Sequence, residues 1–447
     1  MFSAESGVRR TVSSSFRDPS GRLYWDDGRL LREIAPCYVN DYRWLIASGL
    51  YQKLAGDGLL IEHKELETLK VIEPEIVPFI SYPYEWCFSE LKDAALATLR
   101  IEKTALEYGM TLKDASAYNM QFVRGKPILI DTLSFVRYQE GQPWSAYKQF
   151  CQHFLAPLAL MACRDVRLSQ LLRVYIDGIP LDLASKLLPL RTRLDFGIGA
   201  HIHANSLGQR YLSTSKVKGR MSKGMLSNLV EHLERTVESL EWKPISGWKD
   251  YMRECGYNEV ERERKGYIVE VYLRMVGGKT AWDLGCNVGL YSQVASDAGY
   301  KVVAIDSDPS CVEILYNSRK LDSILPLVVD LTNPSPNIGW MNKERDSLLA
   351  RAPADCIMAL ALMHHLIIGN NVPMRELAEF FGQLGRFLII EFVPKEDLQV
   401  RRMLMGRDDI FQWSKESFEE EFSRVFSINT QTQVMETDRI VYLMERK

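Results

Sequence analysis

The sequence has no Cys-x-x-Cys pair. Its eight cysteines, at positions 37, 87, 151, 163, 255, 286, 311 and 356, are dispersed along 447 residues. That spacing argues against a redox dithiol motif and points to buried free thiols in a reducing compartment. The seven histidines share no ligand spacing with these cysteines, so no metal site is expected. Long hydrophobic runs are missing too: the longest, Phe154 to Cys163, is too short to cross a bilayer. The start, Met1-Phe-Ser-Ala-Glu-Ser6, lacks the charged segment and apolar core of a secretory signal, so the expected location is cytoplasmic. Charge of one sign is not in excess. The 55 Lys and Arg against 58 Asp and Glu leave a net charge of -3, with no global pull toward nucleic acid or an anionic membrane. No membrane partner is expected, and no internal repeat is seen.

What remains is an ordinary globular composition, 46% hydrophobic and 25% charged, long enough for two to three domains with their own cores. The stretch around which the chain is organised is Thr280-Ala-Trp-Asp-Leu-Gly-Cys-Asn-Val-Gly-Leu-Tyr-Ser292. It reads as strand, glycine-bearing turn and helix, an arrangement whose backbone N–H groups can face a ligand. Gly285 and Gly289 carry no Cβ to hold a bulky ligand away, and Asp283 ends the strand. Lys301-Val-Val-Ala-Ile305 is a buried-strand pattern ending in Asp306, an acid about 20 positions beyond the turn and suited to a ribose diol.

These residues resemble the first two motifs of class I S-adenosylmethionine-dependent methyltransferases. The spacing Gly285-x-x-x-Gly289 departs from the dinucleotide fingerprint Gly-x-Gly-x-x-Gly and favours the methyl donor over NAD. The resemblance covers roughly residues 251–447. It implies an α/β fold with a Rossmann-like seven-stranded sheet closed by an antiparallel pair, here Phe426 to Val434 and Arg439 to Met444. It also implies S-adenosyl-L-methionine as cofactor. Asp283, Gly285, Asn287 and Gly289 would hold the methionine part and the turn. Asp306 would hold the ribose and Asp330 the adenine amino group, with the Leu331 backbone beside it. Asp330 can equally be a strand-ending turn residue. The fourth strand, Ala354 to Ala361, leads into Met363-His364-His365, beside the expected sulfonium. His364 is the candidate catalytic residue, a base for a hydroxyl or amine; alternatively, one histidine bonds backbone and the other packs as a lid. Glu391 to Lys395 is expected to line the same crevice, and Glu396 to Trp413 to form a substrate-facing lid. The whole chain resembles bacterial methyltransferases of the nodulation type.

In the first half, Arg22 to Ile34 reads as a hairpin around Asp26-Asp-Gly28, Asp41 to Ala55 as one helix, Ile76 to Ile80 as a strand, and Ser89 to Tyr108 as a helix. Asp114 and Asn119 lie five apart, and Asp131 follows an apolar strand. This is similar to the catalytic and metal-binding loops of protein and aminoglycoside kinases, in which such residues accept a hydroxyl proton and hold Mg²⁺. Leu112-Lys113 stands where that family has His-Arg or His-Gly, Thr132-Leu133 follows Asp131 in place of Phe-Gly, and no glycine-rich phosphate loop or strand lysine is found. The alternative is that Asp114 and Asn119 cap a turn.

The expected organisation is a flexible tail (1–20), an α+β domain resembling kinases (21–205), a linker and helix (206–248) and a methyltransferase domain (249–447). The expected function is methyl transfer to O or N of an unidentified acceptor, with the N-terminal region recognising substrate. The rivals are a phosphotransferase with an accessory methyltransferase, and a cofactor-bound regulator. A nucleic-acid acceptor rests only on the five cations between Arg210 and Lys223, which more simply form a solvated linker.

Overall fold

The computed structural model describes residues 9–206, 220–244, 259–318, 320–405, 407 and 413–447. The chain forms two compact units. One comprises Met1–Lys243 with Asn337–Arg345, the other Pro244–Pro336 with Asp346–Lys447.

The first unit opens with strands β1 (Arg10–Thr11), β2 (Gly21–Asp26), β3 (Arg29–Ile34), β4 (His63–Glu67) and β5 (Val71–Pro74), in the sheet order β1-β2-β3-β5-β4. Asp27 and Gly28 adopt φ of 45° and 77°, the left-handed backbone that closes the β2–β3 hairpin. Residues expected as a tail are tied into this sheet. Arg10 and Thr11 pair with Trp25 and Tyr24, and the Ser15 hydroxyl accepts the Leu23 N–H at 3.0 Å. The helix expected over 41–55 is two, Val39–Ala47 and Leu50–Gly56, separated by Gly49 at φ 84°. No strand forms over 76–80, where Pro78 offers no N–H to a ladder. The helix Phe88–Glu107 is the core of the unit. Glu90 accepts the Cys87 N–H at 2.8 Å to cap its start, and Leu91, Ala94, Ala95, Leu99 and Ile101 are buried.

After that helix come β6 (Met110–Leu112), β7 (Met120–Val123), β8 (Lys126–Leu129) and β9 (Phe135–Arg137), paired as β6–β9 and β7–β8. The helical stretch from Tyr147 to Cys163 is interrupted by a π turn over Cys151–Leu155. Pro157 lacks the N–H that an α-helix would offer to the His153 carbonyl, and the Ala156 N–H bonds Cys151 O instead. The helix Lys223–Ser239, inside the expected linker, packs Leu226, Val230, Leu233 and Val237 into this unit. Most of the basic run, including Arg210, Lys216 and Lys218, lies outside the described residues.

The second unit is an α/β sheet of seven strands: β10 (Thr280–Leu284), β11 (Lys301–Asp306), β12 (Ile324–Val328), β13 (Ala354–Ala359), β14 (Gly385–Phe392), β15 (Phe426–Gln433) and β16 (Ile440–Arg446). Their order is β12-β11-β10-β13-β14-β16-β15. The first five are parallel, whereas β16 is antiparallel to both β14 and β15. The parallel strands are apolar on both faces because helices cover both: Val302 to Ile305 and Cys356 to Ala359 are all buried. Strand order reverses at β10, opening a crevice beyond the carboxyl ends of β10 and its neighbours.

Candidate functional site

The turn after β10 is held by backbone. Gly285 and Cys286 donate N–H bonds to Ile305 O at 2.8 and 2.9 Å, which fastens it to β11. Gly285, Asn287 and Gly289 have φ of 72°, 53° and 80°. Asparagine tolerates this conformation because its own carboxamide can satisfy a neighbouring donor; here Oδ1 accepts the Val288 N–H at 2.8 Å. The two glycines serve different ends. Gly285 lines the crevice, while a Cβ on Gly289 would lie 2.5 Å from Leu315 Cδ1, in the packing beneath it.

Gly285, Asn287, Asp306, Asp330 and Leu331 all line one cavity of about 560 Å³ at the C-terminal edge of the strands. The Asp306 carboxylate accepts N–H bonds from Asn287 at 2.8 Å and Asp308 at 2.9 Å, and burial raises its pKa. Asp330 is exposed and takes the Thr332 N–H at 2.8 Å. Asp283 and Gly289 are not in the wall. Asp283 is 2% exposed beneath the turn, where Ser292 Oγ donates to it at 2.6 Å and burial pushes its pKa up to about 6. Met403, from a short helix (Leu398–Leu404) in the expected lid, completes one side; Asp408 and Asp409 of that segment lie outside the described residues.

Of the two histidines, His365 lines the cavity and His364 does not. His364 is 1% exposed, its ring 4.3 Å from that of His365, and neither of its nitrogens has a hydrogen-bond partner. Burial drives its pKa down to about 3, so it is neutral at ordinary pH. Glu391 is likewise absent from the wall. It is fully buried, accepts a 2.5 Å bond from Lys265 Nζ, and has Arg439 Nη1 at 3.5 Å. Arg439 in turn donates from Nε to Asp397 at 2.9 Å, with Nη2 at an ion-pair distance of 2.8 Å from the same carboxylate. Lys265 belongs to the helix Glu259–Val276, whose mixed charges gave no sign that one lysine is internal.

A second cavity, of about 450 Å³ and within the first unit, brings Asp114, Asn119 and Asp131 together. The sequence reading missed its central cation. Arg32 on β3 is 6% exposed and pairs with Asp131 at 2.7 Å and Asp18 at 2.5 Å. Its place on the face of β3 shared with Leu30 and Ile34 was the available clue. Asp114 accepts the Ser116 N–H at 3.0 Å and Gln149 Nε2 at 2.8 Å; burial, then the neighbouring Asp131, raises its pKa. Lys113 bonds the Ser20 hydroxyl and lies 4.4 Å over the Tyr38 ring. Arg345, from the Asn337–Arg345 segment, lies 4.4 Å over Tyr118. Among the described residues no cluster of His, Cys, Asp and Glu has the form of a metal site.

No protein-family model matches the chain. Solved structures that it resembles include two that match less than half of it. Magnesium protoporphyrin IX methyltransferase from Synechocystis PCC 6803, bound to SAH, is 18% identical over 46% of this chain and 95% of its own, with a TM-score of 0.34. The N-methyltransferase NodS of Bradyrhizobium japonicum WM9 is 14% identical over 41% and 96%, with a TM-score of 0.30. One curated relative, nodulation protein NoeA of Rhizobium meliloti (strain 1021), extends over both units: it is 33% identical across 97% of this chain and 96% of its own length. The chain therefore belongs to the family of nodulation protein NoeA.

Proposed function

We propose that the second unit is an S-adenosylmethionine-dependent methyltransferase. The observation that carries this reading is the convergence of Gly285, Asn287, Asp306, Asp330 and Leu331, spread over 47 positions from 285 to 331, on one cavity at the reversal of strand order. The cavity volume lies within the range of small-molecule sites, and the residues fit the donor. Asp306 at the tip of β11 offers carboxylate oxygens to a ribose diol, Asp330 and the Leu331 backbone suit an adenine edge, and the Gly285 turn presents backbone without a Cβ. When bound, the donor supplies an electrophilic methyl on a sulfonium. The protein's part is to orient the acceptor and exclude water, and an obligatory base is not required. If the acceptor must lose a proton, His365 is the imidazole placed to take it, since it lines the cavity and desolvation there lowers its pKa. His364, behind it, acts as packing for that ring.

The cleft of the first unit is read as a recognition site, with the acceptor an O or N of unidentified chemistry. A phosphotransferase needs a carboxylate free to hold Mg²⁺, whereas Asp131 is committed to Arg32. Titration calorimetry with S-adenosylmethionine on the full chain tests the main proposal. Wild type should bind, and Asp306→Asn and Asp330→Ala should each weaken binding by about ten- to hundredfold, as for a hydrogen bond involving a charged group. No binding to wild type, or binding by both variants as tight as that of wild type, would refute it.

A further inference from the structure

The turn after Pro189 presents its apolar side chains to solvent. Leu190, Leu194 and Phe196 are 74%, 91% and 80% exposed, and Arg191 and Arg193 stand between them, exposed and without an ion pair among the described residues. Fraying does not account for this, because the backbone beneath is firmly built. Thr192, 4% exposed, donates to Pro189 O at 2.6 Å and meets His203 Nε2 at 2.9 Å; His203 Nδ1 in turn meets Ser185 Oγ at 2.8 Å. The Leu194 N–H bonds Arg191 O at 3.1 Å. The Asp195 carboxylate caps the following turn, accepting the Ile198 N–H at 2.7 Å. Gly197 sits so close to Thr236 that a Cβ would lie 2.3 Å from its Oγ1. A rigid base that displays leucine, phenylalanine and arginine outward is chemistry for a surface both apolar and anionic.

The turn itself carries the matching charge. Within the turn, from 190 to 196, there are two cations, Arg191 and Arg193, and one acid, Asp195, whose carboxylate is taken up by the Ile198 N–H, in a chain whose net charge is -3. We propose that the Leu190–Phe196 turn is a peripheral contact for an anionic lipid bilayer. Leu190, Leu194 and Phe196 enter the interface, and Arg191 and Arg193 pair with lipid phosphates. No described helix is long and apolar enough to cross a membrane, and a surface contact of this kind needs none. Alternation of arginine with large apolar side chains favours a bilayer over a purely apolar protein face, which would leave the guanidinium groups unpaired.

Flotation of the full chain with vesicles tests this. It should float with phosphatidylcholine mixed with phosphatidylglycerol and stay behind with phosphatidylcholine alone. Salt should release it, and Arg191→Gln and Arg193→Gln should each weaken binding about fivefold. The pair Leu194→Ser with Phe196→Ser should weaken it at least tenfold, by roughly the apolar area lost. Leu194 is exposed and Phe196 keeps only an edge contact with the His232 ring at 5.0 Å, so melting temperatures within about 2 °C of wild type are expected and serve as the folding control. Absence of flotation with anionic vesicles, or binding indifferent to both pairs of changes, overturns the proposal. Loss of self-association in the serine variant without vesicle binding assigns the surface to a second copy instead. Nucleic-acid binding lost in the glutamine variants, again without vesicle binding, assigns it to a polyanion.

Discussion

Replacing Lys265 by methionine tests how the helix before the first sheet strand is held. Lys265 is 2% exposed and Glu391 is fully buried, and the two are joined at 2.5 Å. In the variant the carboxylate keeps Arg439 at 3.5 Å and loses its short donor. Removing one member of a buried pair weakens the compensation of the other and costs about 3–5 kcal/mol. For a unit of this size each kcal/mol is worth about 2–4 °C, so the transition of the second unit should fall by about 6–20 °C. Removing both charges should cost less than removing one. Arg439 remains paired with Asp397 through the Nε hydrogen bond of 2.9 Å and an Nη2 ion-pair contact of 2.8 Å, so Lys265→Met with Glu391→Leu leaves it its acidic partner. The assay is calorimetric melting of the full chain, followed by urea titration of the same variants. A single-variant loss below about 1 kcal/mol, or a double variant worse than the single by the full cost of a second lesion, would refute the reasoning.

The raised pKa of Asp283, about 6, predicts a pH dependence. Its folded pKa exceeds the unfolded value, so the folded state binds more protons between the two, and stability should rise as pH falls from about 6 toward 4. Asp283→Asn should flatten that part of the stability profile, measured by melting against pH; an unchanged slope contradicts it. Gly289→Ala adds a Cβ at φ 80°, 2.5 Å from Leu315, and should cost about 2–4 kcal/mol in chemical denaturation; a loss under 1 kcal/mol would mean the turn shifts freely. Arg32→Ala leaves Asp18 and Asp131 without their shared cation, so Mg²⁺ should raise the melting temperature of the variant and leave wild type unmoved. An equal response in both would show that the guanidinium does not occupy the role of a metal.

The second unit was more legible than the first because its signals are local. A glycine turn between an apolar strand and a helix, followed by a strand ending in Asp306, states a topology within about 25 residues. The same locality limited the site. Gly285 and Gly289 look alike in a string, yet one borders the cavity and the other makes room for Leu315. His364 and His365 are adjacent at the start of a π turn, yet only His365 lines the cavity, a difference a string of letters does not carry. In the first unit, Gly49 broke a periodic helix and Pro157 forced a π turn, effects that periodicity cannot register. Arg32 and Lys265 are cations on apolar surfaces, and their partners lie 99 and 126 positions away in Asp131 and Glu391.

The segment Asn337–Arg345 bears on how the gene can be divided. It belongs to the first unit, although the chain on either side of it belongs to the second. Arg17 has Glu344 as a partner at 3.2 Å, and Tyr118 has Arg345 over its ring. A fragment ending at Lys243 would lack both, and one beginning at Pro244 would carry nine residues evolved for another surface. Neither unit can be lifted out by a single cut. Recombination or domain shuffling that exchanged one half would have to carry this stretch along or replace it, which ties the inheritance of the two units together.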